Sequence, residues 1–216
     1  MKYAKVRAIL IVIILLDLWL VLGEYPVLNN RPRISLTDSN GRINSLADIR
    51  SVDDLYIGPE PETLLVDSYM EQDGDIIVYG DGVLIIDDAE LALRGILWQQ
   101  DNGKVIVRNG AYLNVFQEYL SQFPHFMNDN SYFEAENCTI YAHTVYRTFL
   151  YDSSTYIARR VYFPFWNFRQ CFDQSTLIME NANMVGDFLI RDSCYVEMNR
   201  CDTLLPWFCA ALPVSP

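Results

Sequence analysis

A six-residue motif that recurs six times between Leu84 and Met198 constrains the fold of this chain more than any other feature. Each copy reads apolar, charged, small polar, tiny, any residue, apolar. The copies begin at Ile86, Val107, Ala135, Tyr151, Phe172 and Ile190. Side chains two and four positions before the polar residue are mostly apolar, which is the period of a strand with one buried face. A short polar residue followed by a tiny one favours a turn, so the motif predicts a strand, a turn and a second strand.

The spacing of the copies predicts a solenoid. Their polar positions are separated by 21, 28, 16, 21 and 18 residues, and repeats of about 20 to 30 residues are typical of solenoids whose units stack on their neighbours. A helical solenoid needs amphipathic segments of period 3.6, and the chain has none of useful length. We therefore expect an all-β solenoid of stacked parallel coils.

The run from Ile76 to Ala89 resembles the opening coils of the right-handed parallel β-helix, or pectin-lyase-like, superfold. The resemblance covers about Asp75 to Cys201 and implies a right-handed parallel β-helix solenoid. Polygalacturonases of this fold carry Gly-His-Gly and Arg-x-Lys elements, whereas the two histidines here lie in Pro-His-Phe and Ala-His-Thr and no Arg-x-Lys occurs. Lys104 is the one lysine beyond residue 5. The resemblance therefore assigns no catalytic residue, since a fold does not imply a function.

Residues 1–23 read as a targeting segment that precedes the solenoid. Lys2, Lys5 and Arg7 are followed by an apolar run over residues 8–22 that is interrupted by Asp17. This run is shorter than the roughly 20 residues of a membrane-spanning helix and suits a secretory signal, but no Ala-x-Ala cleavage site follows it. Both a cleaved signal peptide and an uncleaved membrane anchor through residues 8–22 remain open, and either places the rest of the chain outside the cytoplasm.

The remainder divides into two parts. Residues 24–74 are predicted to form a linker and an N-terminal cap, since solenoid ends need protection from edge pairing. Residues 75–216 are predicted to form the β-helix repeats. The apolar C-terminal stretch from Cys201 fits either a hydrophobic plug or the interior of a longer solenoid of which this chain is a fragment.

Charge restricts the partners. The chain carries a net charge of −12, and its first 23 residues hold three positive charges and one negative charge, so the rest carries −14. An acidic exported domain is a poor ligand for nucleic acid, and nucleic-acid binding is excluded from the expected functions.

Five cysteines lie at positions 138, 171, 194, 201 and 209. Export permits disulfides, and Cys171 and Cys194 are one coil apart, which predicts a bridge between adjacent coils. The alternative is that these cysteines are small core residues. The chain lacks zinc-ligand spacings, so no metal site is predicted from its cysteines or histidines.

Carboxylates in the charged position of the motif are the first candidates for chemistry. Asp87, Asp152 and Asp173, with Glu136, are predicted to share one outward column that is interrupted by arginines. Coils in register would place neighbours about 4.8 Å apart, a spacing that suits calcium binding or a glycosidase acid/base pair. The alternative is a solvated face of mixed charge.

Aromatic residues at 162–168 are the second candidates. If this segment is a strand, Tyr162 and Trp166 point outward and offer rings for stacking against sugars, while Phe163, Phe165 or Phe168 point inward. The alternative is that all of them pack in the core.

These features predict an exported or membrane-anchored, non-catalytic β-helix surface protein that binds carbohydrate or acts as an adhesin. A polysaccharide lyase or glycoside hydrolase with a divergent active site is the alternative, and a fragment of a longer β-helix protein is the second alternative. No cofactor is required by the sequence, although calcium remains open. An enzyme would gather two or more carboxylates and a base in one groove, whereas a surface module would scatter its charges.

Overall fold

The structure, a computed structural model, describes residues 50–51, 53–116, 124–143, 145–204 and 208–209. This part of the chain is made of strands joined by turns and contains no helix, and it therefore holds no helix that could span a membrane. The predicted targeting segment of residues 1–23 lies outside the described residues. The strands are β1 (Arg50–Ser51), β2 (Leu55–Ile57), β3 (Thr63–Val66), β4 (Met70–Gln72), β5 (Ile76–Val78), β6 (Val83–Asp87), β7 (Glu90–Leu93), β8 (Leu97–Gln99), β9 (Lys104–Arg108), β10 (Tyr112–Val115), β11 (His125–Met127), β12 (Tyr132–Ala142), β13 (Tyr146–Leu150), β14 (Thr155–Cys171), β15 (Thr176–Glu180), β16 (Asn183–Ile190), β17 (Tyr195–Asn199), β18 (Asp202–Leu204) and β19 (Phe208–Cys209).

The strands form three rows of parallel pairs that run along the solenoid. Row A contains β3, β6, β9, the first part of β12, the first part of β14, β15 and β17. Row B contains β1, β4, β7, β10, the second part of β12, the middle of β14, the first part of β16, and β18. Row C contains β2, β5, β8, β11, β13, the last part of β14, the last part of β16, and β19. The chain passes from A to B to C in every coil, so the predicted all-β solenoid is confirmed and the architecture is consistent with a right-handed parallel β-helix.

The solenoid includes strands that precede residue 75. β2, β3 and β4 pair in parallel with β5, β6 and β7. Part of the segment assigned by the sequence to the linker and cap, residues 24–74, thus forms coils of the solenoid. Residues 24–49 lie outside the described part of the chain.

Alternate side chains fill the interior, as the period-two pattern predicts. In row A, residues that pair in register on successive strands form a buried column. Its members are Leu84, Val105, Phe133, Tyr156 and Leu177. The Phe133 and Tyr156 rings stack with centroids 4.6 Å apart. Burying an aliphatic or aromatic side chain of this size contributes about 1.5–3 kcal/mol, and such columns hold successive coils together.

Row C also carries an apolar column on its outer side. Ile77, Trp98, Phe126 and Phe149 occupy successive positions of this column. The Trp98 and Phe126 rings stack at 4.5 Å, and the Phe126 and Phe149 rings at 5.0 Å. Stacked rings shield one another's faces, and each of the four side chains is buried.

From β5 onward, two corners of each coil place a residue in the left-handed region. At the corner from row A to row B these residues are Asp88, Asn109, Asn137, Arg160, Asn181 and Arg200; at the corner from row C to row A they are Gly80, Asp101, Asp129, Asp152, Asp173 and Asp192. Glycine, asparagine and aspartate tolerate this conformation better than other residues. Most of these residues are of those three types, which explains why the two corners look alike in sequence.

The six motif copies therefore belong to two different corners. The first three copies cover the corner from row A to row B, and the last three cover the corner from row C to row A. The short interval of 16 residues between the third and fourth polar positions follows from this change of corner. The solenoid was predicted correctly, but the alignment of its repeats was wrong.

Candidate functional site: an exposed aromatic surface between rows B and C

The charged column predicted to contain Asp87 lies on the outer side of row A. Its successive members are Asp87, Arg108, Glu136, Arg159 and Glu180. The sign of the charge alternates from coil to coil. Arg108 donates two hydrogen bonds to Asp87 Oδ2, at 2.9 and 2.7 Å, and Arg159 lies 3.8 Å from Glu180. Two neighbouring pairs of the column are thus ion pairs, and Glu136 between them is paired with Arg160 at the adjacent corner.

The surroundings of Asp87 keep its carboxyl group ionised. Hydrogen bonds from Asn109 and then from Arg108 lower the pKa of Asp87 below its ordinary value. A general acid needs a raised pKa, so this environment suits an ion pair rather than proton donation.

Asp152 and Asp173 do not share that column, and the prediction that they stack with Asp87 was wrong. They lie at the corner from row C to row A, in an aspartate ladder formed by Asp101, Asp129, Asp152, Asp173 and Asp192. In this ladder a carboxylate accepts a hydrogen bond from the backbone N–H of the preceding coil. Asp152 Oδ2 accepts from Asp129 N at 3.1 Å, and Asp173 Oδ2 accepts from Asp152 N at 3.1 Å.

The ladder has a structural role that its hydrogen bonds account for. Each aspartate adopts a left-handed backbone and joins two coils. Within the residues that the structure describes, no group of three or more His, Cys, Asp or Glu side chains is arranged to hold a metal ion. Calcium binding at Asp152 and Asp173 stays a prediction, and among the described residues no third carboxylate, histidine or cysteine is arranged with them to hold the ion.

Tyr162 and Trp166 lie at the corner from row B to row C, where β14 carries two extra residues. The register with β16 shifts between Phe163 and Trp166, so that Pro164 and Phe165 bulge from the strand. Tyr162 is 51% exposed and Phe165 is 39% exposed, whereas Phe163 is buried in the core. Trp166 is half-buried. Bulges re-aim side chains, and this bulge turns Phe165 outward, against the inward orientation that the sequence allowed.

Four aromatic residues of earlier coils extend this patch. Together with Tyr162 and Phe165, the residues Tyr112, Phe116, Tyr141 and His143 form what we call the aromatic surface. The Tyr112 and Tyr141 rings stack at 6.2 Å, and the Phe116 and His143 rings stack at 4.2 Å. The edge of Phe165 meets Tyr141 at 5.6 Å. The surface is therefore continuous over three coils.

The rings of Tyr162 and Trp166 differ from those of the aromatic surface described above because neither contacts another aromatic ring among the described residues. Aromatic pairs cover parts of each other's rings, so an exposed ring that contacts no other ring leaves more of its surface available to a ligand. Tyr162, which is half exposed, is therefore the residue of this surface best suited to stack against a flat apolar ligand.

Polar groups border the aromatic surface on the side of row B. Asn114 Nδ2 donates to Glu90 Oε1 at 3.1 Å. Arg94 lies 4.6 Å from the centre of the Phe116 ring and also contacts Glu71 and Asp73, at 3.3 and 3.2 Å. Sequence reasoning missed this border and the four earlier aromatic residues, because only the register between coils brings them together.

A second group of polar side chains is sealed inside the solenoid. Arg169 is fully buried, donates to Thr148 Oγ1 at 3.0 Å and to the Tyr156 hydroxyl at 3.3 Å, and lies 5.3 Å from the Tyr146 ring centre and 5.0 Å from that of Phe163. No carboxylate of the described residues pairs with it. The hydroxyl groups and ring faces take the place of a counter-ion.

His125 extends this buried group. Its Nε2 lies 2.8 Å from Gln99 Oε1 and its Nδ1 lies 3.1 Å from the Tyr146 hydroxyl. Since the glutamine oxygen can only accept, Nε2 carries the proton and Nδ1 accepts from the tyrosine. Burial, and secondarily the charge of Arg169, hold the pKa of His125 well below its usual value of 6.5. The imidazole is neutral and structural.

Cys171 and Cys194, the predicted disulfide partners, are free thiols in the structure. Cys171 is fully buried, and its pKa is raised to about 12 by burial and then by the neighbouring Cys194. Cys194 lies 3.5 Å from Ser175 Oγ. Both are thiols in the structure, and the bridge between them stays a prediction.

These surfaces are the basis on which a function can be inferred. No family model, no curated protein and no solved structure matches the chain. Of the features described above, the aromatic surface is the one that brings exposed aromatic rings, Tyr162 and Phe165, together with partly exposed rings of earlier coils.

Proposed function

We propose that the chain is an exported, non-catalytic β-helix surface protein that binds carbohydrate through the aromatic surface. The observation that carries the proposal is the exposure of Tyr162, at 51%, beside the outward Phe165 at the bulge of β14. Contiguous exposed apolar area on a soluble domain marks an interaction site. Export is the expectation from residues 1–23.

The chemistry of the surface favours a sugar. A pyranose ring has an apolar face of C–H groups and a rim of hydroxyl groups. The Tyr162 ring can cover such a face. Glu90, three coils earlier in the same column of row B, can accept hydrogen bonds from the hydroxyl groups of another sugar residue of the same glycan chain. Tyrosine also combines an apolar body with a polar tip.

The carboxylates favour a non-catalytic protein over a lyase or hydrolase. Asp87 is held in an ion pair with Arg108, and Asp152 and Asp173 bind backbone N–H groups at a different corner. A glycosidase instead needs two carboxyl groups that flank one bond, about 5–9.5 Å apart, with one of them protonated. These three carboxylates are arranged to join coils.

The test is glycan binding by the full chain, purified in mild detergent, against a panel of neutral and acidic polysaccharides. Tyr162→Ala should weaken binding about tenfold, which corresponds to about 1.4 kcal/mol. The matched control is Tyr195→Ala, since Tyr195 is equally exposed, at 55%, but lies on row A. Equal loss in both variants would contradict the proposed surface.

A parallel assay for new reducing ends and unsaturated uronates, with and without calcium, tests the alternative. Release of product by the wild-type chain would overturn the non-catalytic proposal. Product that disappears on Asp152→Asn or Asp173→Asn would identify the ladder as catalytic after all.

A further inference from the structure

We propose that the aromatic surface selects neutral polysaccharides and excludes acidic ones such as polyuronates. This inference rests on the proposed carbohydrate binding and adds the class of glycan. It is carried by the charges around the aromatic rings: Arg94 and Arg160 are paired with carboxylates of this chain, whereas Glu90 is hydrogen-bonded to a neutral amide.

Glu90 is the uncompensated charge. It stands directly beside Tyr112 in the register of row B, and strands in such a pair are about 4.8 Å apart. Its one hydrogen-bond partner among the described residues is the neutral amide of Asn114. A bound glycan that covers Tyr112 would therefore meet a carboxylate.

The arginines near the surface are already occupied. Arg94, beside Phe116, contacts both Glu71 and Asp73. Arg160, two residues before Tyr162, is paired with Glu136. On the adjoining part of row C, Arg147 and Asp187 flank Phe168 in register, one charge of each sign. Among the described residues the one lysine, Lys104, lies on row A and not in this region.

These charges act differently on the two classes of glycan. A polyuronate carries one negative charge per sugar, and it would bring several of them within a Debye length, about 10 Å at 0.1 M salt, of Glu90 and of a chain of net charge −12. A neutral glycan meets no such repulsion. Its hydroxyl groups can instead donate to the free lone pairs of Glu90, and hydrogen bonds to a carboxylate are stronger than those to neutral acceptors.

The experiment measures the affinity of the full chain for a soluble neutral glucan, a neutral xylan and polygalacturonate, at about 0.05 M and about 0.5 M NaCl. We expect the neutral glycans to bind with dissociation constants that change less than about twofold between the two salt concentrations. Polygalacturonate should bind at least about tenfold more weakly at low salt, a difference of about 1.4 kcal/mol.

Glu90→Gln is the diagnostic variant, because glutamine keeps an oxygen for Asn114 and removes the charge. It should raise the affinity for polygalacturonate at low salt by about threefold or more, since unit charges a few ångströms apart in water interact by about 1 kcal/mol. It should lower the affinity for the neutral glycans, because hydrogen bonds to a neutral amide are weaker than those to a carboxylate. Tighter binding of polygalacturonate than of neutral glycans by the wild-type chain, weakened by salt, would overturn this inference and leave the proposed function standing. Binding to no glycan of either class would overturn both.

Discussion

Asp152 offers the sharpest test of how the coils are joined. Its backbone has φ +55°, its Oδ2 accepts from Asp129 N at 3.1 Å, and its own N–H donates to Asp173 Oδ2 at 3.1 Å. Three substitutions separate these contributions. Alanine loses both the side-chain acceptor and the tolerance for a left-handed backbone, glycine loses the acceptor alone, and asparagine keeps both while removing a charge.

The magnitudes follow from these geometries. A left-handed backbone costs an alanine roughly 1–2 kcal/mol, and the loss of one hydrogen bond costs about 0.5–1.5 kcal/mol, so Asp152→Ala should lower the free energy of unfolding by about 1.5–3.5 kcal/mol. For a chain of this size, about 1 kcal/mol shifts Tm by 2–4 °C, and the expected fall is about 3–14 °C. Asp152→Gly should fall between alanine and wild type. Asp152→Asn should match or exceed wild type, because it relieves repulsion between neighbouring carboxylates of the ladder.

The assay is thermal unfolding of each variant, followed by circular dichroism at neutral pH. Ser153→Ala is the matched control, since Ser153 is an exposed residue of the same turn and its φ is not positive. Ser153→Ala should leave Tm unchanged. An alanine variant at 152 as stable as the asparagine variant would refute the reasoning, because the order of the two is fixed by backbone conformation and by the acceptor.

Four further predictions concern the buried groups. Arg169→Met should leave the free energy of unfolding unchanged or raise it by up to about 4 kcal/mol, because it removes a buried charge that lacks a carboxylate partner. Tyr156→Phe should lower the free energy of unfolding by about 1–3 kcal/mol in the wild-type chain and by little in the Arg169→Met background. Additive effects of the two substitutions in denaturant titrations would contradict the energetic coupling of Tyr156 to Arg169. The free energy of unfolding should decline as the pH falls below about 6.5, because the pKa of His125 is depressed in the folded chain and the unfolded chain therefore binds the proton first. His125→Gln should flatten this pH dependence. An unchanged slope in that variant would show that other groups cause the pH dependence. The pKa of Cys171 is raised to about 12, so this thiol should not react with a thiol reagent at pH 8 until the chain unfolds. Fast labelling of Cys171 in the native chain would contradict its burial in the core.

The architecture was predictable because the period-two alternation and the recurring turns both follow from local physics. Any strand that buries one face must alternate, and any sharp corner favours aspartate, asparagine or glycine. For the same reason, the alignment of one coil with the next could not be predicted from the sequence. Asp87 precedes one corner and Asp152 lies in another, but both corners need a left-handed residue and so carry the same residue types.

The candidate site was predictable only in part. Tyr162 could be placed outward because its neighbours Val161 and Phe163 are apolar and point inward. Tyr112 and Tyr141 could not be joined to it, because their contact depends on the pairing of three coils, and the interval of 28 residues between two of those coils cannot be converted into a register from sequence.

The buried Arg169 escaped prediction for a related reason. A charged residue in a strand is ordinarily read as solvent-facing, whereas here the interior offers it hydroxyl groups and ring faces. Those partners, Thr148 on the adjacent strand β13 and Tyr156 from the opposite row, come from separate turns of the solenoid. Only the folded arrangement shows that the charge can be accommodated.

The most direct test of carbohydrate binding by the aromatic surface is the dissociation constant of a neutral glucan for the wild-type chain and for Tyr162→Ala and Tyr195→Ala, measured by titration calorimetry. We predict measurable binding by the wild type, a loss of about tenfold in Tyr162→Ala, equal to about 1.4 kcal/mol, and no change in Tyr195→Ala. A wild-type affinity that Tyr162→Ala leaves intact would contradict the assignment of the binding site to the aromatic surface.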